Sequence, residues 1–285
     1  MSERNGPSIN RLEHELPEGL LVDAAWLEQR GYYGSLRKKY VDSGWLEQPA
    51  RRVYCRPLRG HRLSWQQVVI SLQTLLGIPL ILGGRSALEQ RGYGHYLTHE
   101  QSEVHLYGRS KLPTWLADLP MGTRFIHHNS ERLFRNDPIA RGLGSLAVNV
   151  QTGAAVDRTV LRGGGVEMLE WGQWDWPLTL SSPERAILEL LDELPDHESF
   201  HQVDMLMEGL TNLRPRLLQK VLADCRSVKV KRLFFFFADR HQHTWLKRLD
   251  RAAIDLGSGK RMLVRGGRLD PVYQITVPED LHAVP

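Results

Sequence analysis

The sequence predicts an α/β (α+β) protein, with an N-terminal winged helix-turn-helix over residues 1–60 and a larger mixed α/β domain over residues 61–285. Three observations predict this fold class. Residues 20–56 read as a helix, a tight turn, a cationic helix and a two-stranded ribbon. The charge changes sign within that same stretch. Beyond it, helical patterns alternate with short apolar runs that glycine and proline separate, in a chain long enough for two hydrophobic cores.

The first predicted helix runs from Leu21 to Arg30. Its apolar residues form a stripe, and Asp23 lies in the first turn, where a negative charge suits the helix dipole. Gly31 follows at the position where helices commonly end. The short spacing to the next helical pattern indicates the tight turn of a helix-turn-helix.

The second predicted helix is capped by Ser35 and ends at Gly44. Leu36 and Tyr40 are four residues apart and are expected to face inward. The outer side then carries Arg37 and Lys38, with Lys39 at its edge. This helix is the expected recognition helix, the element that a winged helix places in the DNA major groove.

The expected wing consists of two short strands, residues 45–48 and 52–56, around Pro49-Ala50. In the second strand Val53 and Cys55 alternate with Arg52, Tyr54 and Arg56, as in a half-buried ribbon. The residues expected to contact DNA are Tyr33, Ser35, Arg37, Lys38, Lys39, Arg51, Arg52 and Arg56.

The distribution of charge supports the same interpretation. Residues 1–29 contain two Lys/Arg against six Asp/Glu, whereas residues 30–62 contain nine against two. Such a change within one small domain predicts a single basic face, which is typical of nucleic-acid binding. Two alternatives stay open: a solvated surface, or a winged helix that contacts only other proteins.

Composition is that of an ordinary globular protein, with 41% apolar and 25% charged residues. The only cysteines, Cys55 and Cys225, give no disulfide framework or zinc motif, which favours a reducing cytoplasm. The first ten residues have no apolar signal core, and no apolar run reaches the length of a membrane span. We therefore expect a cytoplasmic protein without membrane association.

The larger domain is expected to be a mixed α/β structure whose strand order the sequence does not define. Predicted helices cover residues 64–77, 85–91, 183–195, 201–209, 215–225 and 244–250. Predicted strands cover residues 79–82, 104–107, 123–128, 146–150, 166–171, 228–238, 261–265 and 272–277. The phenylalanine run within 228–238 is interpreted as the centre of a buried sheet.

The segment Gly83-Gly84-Arg85-Ser86 follows a hydrophobic strand and opens a helix. It resembles the first motif of polymerase-β-type nucleotidyltransferases, in which such glycines let backbone amides approach a triphosphate. Those enzymes need a pair of carboxylates on the next strand to hold two metal ions, and the strand here, Glu103 to Tyr107, has no such pair. We interpret the segment as a structural turn; a catalytically inactive copy of that fold remains an alternative.

No catalytic residue, metal site or cofactor is predicted. The histidine pairs His127-His128 and His241-x-His243 lack the spacing of a helical metal site. No dinucleotide, Walker or nucleophile-elbow motif occurs. Trp171, Trp174 and Trp176 are expected to pack on an edge of the core rather than to stack on bases.

A second basic stretch follows, because residues 214–268 contain fifteen Lys/Arg against four Asp/Glu. The residues expected to form this second basic surface are Lys247, Arg248, Arg251, Lys260, Arg261, Arg265 and Arg268. A solvated face with internal ion pairs accounts for it equally well. The functional alternatives are contact with flanking DNA, with an RNA or with an acidic protein partner.

Long strings of this sequence are specific enough to indicate a family. They are GGRSALEQRGYGHYL, VHLYG with LPTWL, LSSPERAILELLDELP, DMLMEGLTNLRPRLL, CRSVKVKRLFFFFADRH and IDLGSGKRMLVRGGRLD. With these strings the chain resembles, over nearly its whole length, the AbiEi antitoxins of type IV toxin–antitoxin systems, which act in phage abortive infection.

The resemblance implies an N-terminal domain that binds double-stranded DNA at inverted repeats in its own promoter and represses the operon. It implies a C-terminal domain that antagonises a cognate nucleotidyltransferase toxin. By position, the recognition helix would cover residues 35–43 and the wing residues 45–56. We expect a monomer in solution that pairs on DNA. The alternatives are an enzyme acting on nucleic acid, targeted by its winged helix, and an adaptor that binds only protein.

Overall fold

The structure is a computed structural model that describes residues 9–58, 60–94, 103–136, 138 and 163–281. Its N-terminal part has the element order of a winged helix. The elements are α1 (Ile9–Glu15), β1 (Leu21–Asp23), α2 (Ala24–Gln29), α3 (Gly34–Asp42), β2 (Glu47–Ala50) and β3 (Val53–Cys55). The strands form an antiparallel sheet in the order β1-β3-β2. The winged helix-turn-helix predicted from the sequence is thereby confirmed.

The start of this unit was predicted wrongly. Residues 21–23 form a strand rather than the first turn of a helix, because β1 pairs with β3 through Val22 and Tyr54. The helix begins one residue after Asp23, whose Oδ1 accepts a hydrogen bond of 2.8 Å from the Trp26 amide as an N-cap. The preceding helix α1 was not predicted, since of its seven residues only Leu12 is buried.

The cap of α3 and the position of the wing also differ from the prediction. Tyr33 is the N-cap residue of α3, and Ser35 lies within the first turn. After the helix, the amides of Trp45 and Leu46 donate back to the Tyr40 carbonyl, at 2.9 and 3.1 Å. The ribbon therefore starts at residue 47, and Arg51-Arg52 forms its tip instead of Pro49-Ala50.

The larger part is built on a five-stranded mixed sheet with the order β6-β5-β4-β8-β7. Its strands are β4 (Leu80–Leu82), β5 (Glu103–Gly108), β6 (Arg124–His128), β7 (Val166–Trp171) and β8 (Trp176–Ser181). β4 pairs antiparallel with β5 and parallel with β8; β5 pairs parallel with β6, and β7 antiparallel with β8. The strand predicted at residues 146–150 lies outside the described residues.

Within the described ranges, the helices that accompany this sheet are α4 (Trp65–Thr74), α5 (Gly84–Gln90), α6 (Pro183–Asp192), α7 (Phe200–Gly209), α8 (Pro215–Asp224) and α9 (Val228–His241). α4 packs on β4, β8 and β1; α5 packs on β5 and α6; α9 packs on α6 and α7. Ser64 caps α4 in a capping box with Gln67, as its sequence indicates. Among the described residues no helix is long and apolar enough to cross a membrane.

The prediction of a strand at residues 228–238 was wrong, because this segment is the helix α9. Ser227 caps it through a hydrogen bond to the Val230 amide. All four phenylalanines, Phe234 to Phe237, are buried. Residues 230–238 are all buried, Lys231 and Arg232 among them, so the apolar run imitates a buried strand, and tertiary packing overrides the β propensity of phenylalanine.

The chain ends in a segment with little regular structure, residues 251–281, here called the C-terminal arm. The helix predicted at residues 244–250 is a short 3-10 helix, Thr244–Arg248. The strands predicted at 261–265 and 272–277 reduce to a bridge between Arg261 and Ile275 and to a pair of two-residue strands. Those strands are β9 (Arg268–Leu269) and β10 (Thr276–Val277).

The winged helix and the sheet share one continuous apolar core within the described residues. The Leu21 amide of β1 donates a 3.0 Å hydrogen bond to Ser71 Oγ of α4. A Cβ at Gly19 would lie 3.3 Å from the Trp176 ring and would clash with Gln67, so the two parts are in close contact there. The winged helix therefore sits directly on α4 and β8 rather than at the end of an isolated linker.

Candidate nucleic-acid interface

The outer face of α3 carries the exposed residues Ser35, Lys38, Lys39 and Asp42. They share this face because Leu36 and Tyr40 turn the opposite side of the helix toward the core. Tyr33, 65% exposed, stands at the N-terminus of the helix. There the first backbone N–H groups have no partner within the helix and favour an anion.

Arg37 does not lie on this face, contrary to the expectation from the sequence. Its side chain points inward and the residue is 9% exposed. Nη1 donates to the Tyr32 carbonyl and Nη2 to Glu28 Oε1, both at 2.9 Å. The guanidinium also lies 5.6 Å from the centre of the Tyr54 ring. Arg37 thus ties α2, α3 and the wing together, with its donors turned away from any bound duplex.

The tip of the wing presents Arg51 and Arg52, both exposed. Arg52 has a φ of 63°, a left-handed conformation that is uncommon for a residue with a side chain. Its carbonyl accepts a 2.8 Å hydrogen bond from the Ala24 amide at the start of α2. The tip is thereby fixed beside the helix-turn-helix. Trp45, an exposed aromatic residue before the wing, was not among the predicted contacts.

Arg56 is the second predicted contact that the structure uses internally. Its Nη1 donates to the carbonyls of Glu13 and Leu16, and its Nη2 pairs with the carboxylates of Glu13 and Glu18. Only 12% of its side chain is exposed. Arg56 directly follows β3, whose three residues are all buried, and joins the base of the wing to α1 through Glu13.

The glycine turn after β4 is filled by protein atoms. The Gly84 amide, at the start of α5, donates a 2.9 Å hydrogen bond to Glu189 Oε2. Burial raises the pKa of this carboxyl, and Arg185 donates to its other oxygen at 2.8 Å. A Cβ at Gly83 would overlap the Tyr107 ring and lie 2.5 Å from the same carboxylate. The segment is a strand-to-helix turn, as interpreted from the sequence, and Glu189 occupies the position that a phosphate would take.

The histidines of β5 and β6 form a buried chain. His105 Nδ1 lies 2.9 Å from His128 Nε2, and His128 Nδ1 lies 3.0 Å from Glu193. Burial and the neighbouring His128 lower the pKa of His105 to about 4. The neighbouring His127 points the other way, as successive residues of a strand do, and its Nε2 lies 3.1 Å from the Gly108 carbonyl oxygen. Within the described ranges no group of three potential metal ligands comes together.

All seven residues of the second basic surface are exposed: Lys247, Arg248, Arg251, Lys260, Arg261, Arg265 and Arg268. Arg251 differs from the others in that it forms an ion pair with Asp239 and a hydrogen bond with Tyr273. The seven residues lie on the 3-10 helix Thr244–Arg248 and on the C-terminal arm. Within the described residues, the arm is bound to α9 through Arg232, α9 packs on α6, and α6 packs on α5 and β8.

Two family models match the chain. One, described as the N-terminal domain of the AbiEi antitoxin transcriptional regulator, matches residues 5–99. The other, described as the AbiEi antitoxin transcriptional regulator of type IV toxin–antitoxin systems, matches residues 166–278.

A solved structure has the same fold, namely that of the Mycobacterium tuberculosis protein RV2827C. The TM-score is 0.54 at 15% sequence identity, over 94% of this chain and 88% of that one. Among curated proteins, none matches this chain. At this identity the solved structure supports the fold alone, and the family rests on the two models.

Proposed function

Since the chain belongs to the AbiEi family of antitoxin transcriptional regulators of type IV toxin–antitoxin systems, we propose that it represses its own promoter by inserting α3 into the DNA major groove. Lys38 and Lys39 are positioned to reach base edges and phosphates. Tyr33 and Ser35 contact the backbone at the N-terminus of the helix. Arg51 and Arg52 contact phosphates from the wing.

The main support for this proposal is that the cations of the winged helix fall into a buried group and an exposed group. Arg37 and Arg56 hold the elements together from inside, whereas Lys38, Lys39, Arg51 and Arg52 remain exposed on the elements that a winged helix applies to DNA. A rigid helix that presents cations in fixed positions loses little conformational entropy on binding.

The operator is expected to contain inverted repeats, each bound by one copy. We expect the protein to be a cytoplasmic monomer in solution that pairs on the DNA, because closed two-fold pairs match palindromic sites. The larger domain, which the family model describes as an AbiEi antitoxin of a type IV system, is expected to antagonise a cognate toxin, and we propose that this toxin is a nucleotidyltransferase. A neighbouring gene that encodes a nucleotidyltransferase would support this relation between antitoxin and toxin.

The test is fluorescence anisotropy of the full chain on its own upstream DNA and on a scrambled duplex, at two salt concentrations. We expect tighter binding to the native sequence and a steep dependence on salt. Lys38→Ala with Lys39→Ala should weaken binding to the native site by at least about tenfold, given roughly 1–3 kcal/mol per lost contact.

The matched control is Lys111→Ala with Arg132→Ala, which removes two exposed cations outside the winged helix. It should change the affinity by less than about twofold, since non-contact charges act only through the screened long-range field. Equal binding of the native and scrambled duplexes, or equal losses in the two double variants, would refute the assigned interface.

A further inference from the structure

The C-terminal arm is an ordered unit despite its few regular elements. Arg261 bridges to Ile275, so residues 261–264 lie along one side of β10 while β9 pairs on the other. Thr276 Oγ1 accepts hydrogen bonds from the amides of Leu263 and Val264, at 2.8 and 2.9 Å. The result is a small three-segment ribbon, in which residues 261–264 run parallel to β10 and β9 runs antiparallel to it.

Buried cations of α9 anchor this three-segment ribbon. Arg232 is 3% exposed and donates to the carbonyls of Leu256 at 2.7 Å and Gly259 at 2.6 Å. Lys231, also buried, donates to the Asp255 carbonyl at 3.1 Å. A buried cation needs such oxygen partners to offset its lost hydration. The arm is therefore held at several points along its backbone and presents its outer side chains in fixed positions.

The outer side of the arm is predominantly cationic, and the flanking acidic residues Asp255 and Asp270 accept hydrogen bonds from local backbone amides. Residues 256–269, LGSGKRMLVRGGRL, contain Lys260, Arg261, Arg265 and Arg268, all exposed, and no acidic residue. Two large apolar side chains of the arm are also exposed, Met262 by 75% and Val272 by 72%. Methionine, arginine and an apolar centre with a charged rim are typical of protein interfaces.

We propose that this side of the C-terminal arm, the surface of Lys260, Arg261, Met262, Arg265, Arg268 and Val272, is a docking site for an acidic protein. Its carboxylates pair with the arginines, and its apolar side chains cover Met262 and Val272. The chemistry favours protein over single-stranded nucleic acid, because the latter is usually held by exposed aromatic rings, and Tyr273 of the arm is buried. The site is independent of DNA binding by α3.

The test uses two synthetic peptides as probes. Both are acidic amphipathic helices of equal length and charge; one carries leucines on its apolar face and the other carries serines at those positions. Fluorescence anisotropy with the full chain should give tighter binding of the leucine peptide. Arg261→Glu with Arg265→Glu should weaken that binding at least about tenfold through charge reversal at the interface.

Met262→Ser leaves the charge unchanged and should remove most of the difference between the leucine and serine peptides. The control, Lys111→Glu with Arg132→Glu, has the same change of charge on exposed residues outside the arm, and should bind both peptides within about twofold of the parent. Circular dichroism verifies that each variant is folded.

Three results would overturn the proposal: no preference for the leucine peptide, equal losses in the arm and control variants, or arm variants that lose an unrelated RNA or duplex instead of the peptide. The last result would assign the arm to nucleic acid. Binding to the native promoter duplex should stay within about twofold in the arm variants, because they leave the winged helix intact. Failure of the arm proposal is thus distinguishable from failure of the assigned DNA interface.

Discussion

The winged helix and the C-terminal arm are both basic, but they support their cations in different ways. In the winged helix, Lys38 and Lys39 project from a regular helix, and Arg37 on the same helix fixes it from within. In the arm, the exposed cations lie on irregular backbone, and the stabilising cation Arg232 comes from another element, α9. In both regions, therefore, the basic residues fall into two groups: exposed cations that are available to a binding partner, and buried cations that stabilise the fold.

The largest expected effect is loss of the arm's anchor. Arg232→Met keeps the apolar volume but removes the donors to the Leu256 and Gly259 carbonyls. We expect the free energy of unfolding to fall by about 3 kcal/mol, since the charge-assisted hydrogen bonds of a buried guanidinium are lost and the arm loses this anchor. Chemical denaturation measures the loss, and hydrogen exchange should locate it in the arm.

The comparison variant is Arg226→Ala, an exposed arginine just before α9. It should cost less than about 0.5 kcal/mol, as surface substitutions usually do. If Arg232→Met were equally harmless, the arm would not depend on its buried cation. If Arg232→Met abolished promoter binding while remaining folded, the two regions would not be independent.

The next effect separates Arg37 from the lysines beside it. Arg37→Ala should lower the free energy of unfolding by about 2 kcal/mol, because it removes charge-assisted bonds to Tyr32 and Glu28. Lys38→Ala should leave stability unchanged. Glu28→Gln should cost under about 1 kcal/mol, since this carboxylate is 44% exposed and its ion pair is screened by solvent.

The salt dependence of DNA binding gives a second way to distinguish Arg37 from Lys38 and Lys39. The slope of log affinity against log salt counts the phosphate contacts, so Lys38→Ala with Lys39→Ala should reduce it, whereas Arg37→Ala should weaken binding without changing the slope. A reduced slope in Arg37→Ala would mean that the arginine turns outward on DNA.

The smallest effect is expected at the wing. Arg51→Ala with Arg52→Gly removes both tip cations, and glycine accepts the left-handed conformation of residue 52 without strain. Binding should fall about equally on native and scrambled duplexes, because phosphate contacts carry no direct sequence information, and the salt slope should fall by about 2. A loss confined to the native duplex would show that the wing reads bases.

Local signals in the sequence were sufficient for the order of the winged helix, the capping box of α4 and the glycine turn before α5. They did not distinguish exposed from buried arginines, because Arg37 pairs with Glu28 of α2, whose start was predicted wrongly, and Arg56 pairs with Glu13 of α1, which was not predicted. The phenylalanine run of α9 was wrongly predicted to be a strand for a different reason. Its burial on every side leaves no periodicity that would separate a helix from a strand.

The larger domain would have been harder to predict in any case. Its sheet combines parallel and antiparallel neighbours from distant segments, such as β4 beside β8. The arm has almost no local pattern, because its shape depends on carbonyls that bind Lys231 and Arg232. From the sequence, only the positive charge of the arm could be predicted. Charge alone does not identify the class of molecule that binds there.

The hydrogen bond from Leu21 to Ser71, within a core common to the winged helix and the sheet, has a consequence for how promoter DNA is occupied. A winged helix joined rigidly to its larger domain fixes the direction in which that domain leaves the duplex. For two copies bound to inverted repeats, the helical twist of the DNA between the repeats would then determine how their larger domains are oriented about the duplex axis. Inserting half a helical turn between the repeats would place their larger domains on opposite sides of the duplex, and inserting a full turn would bring them back to the same side.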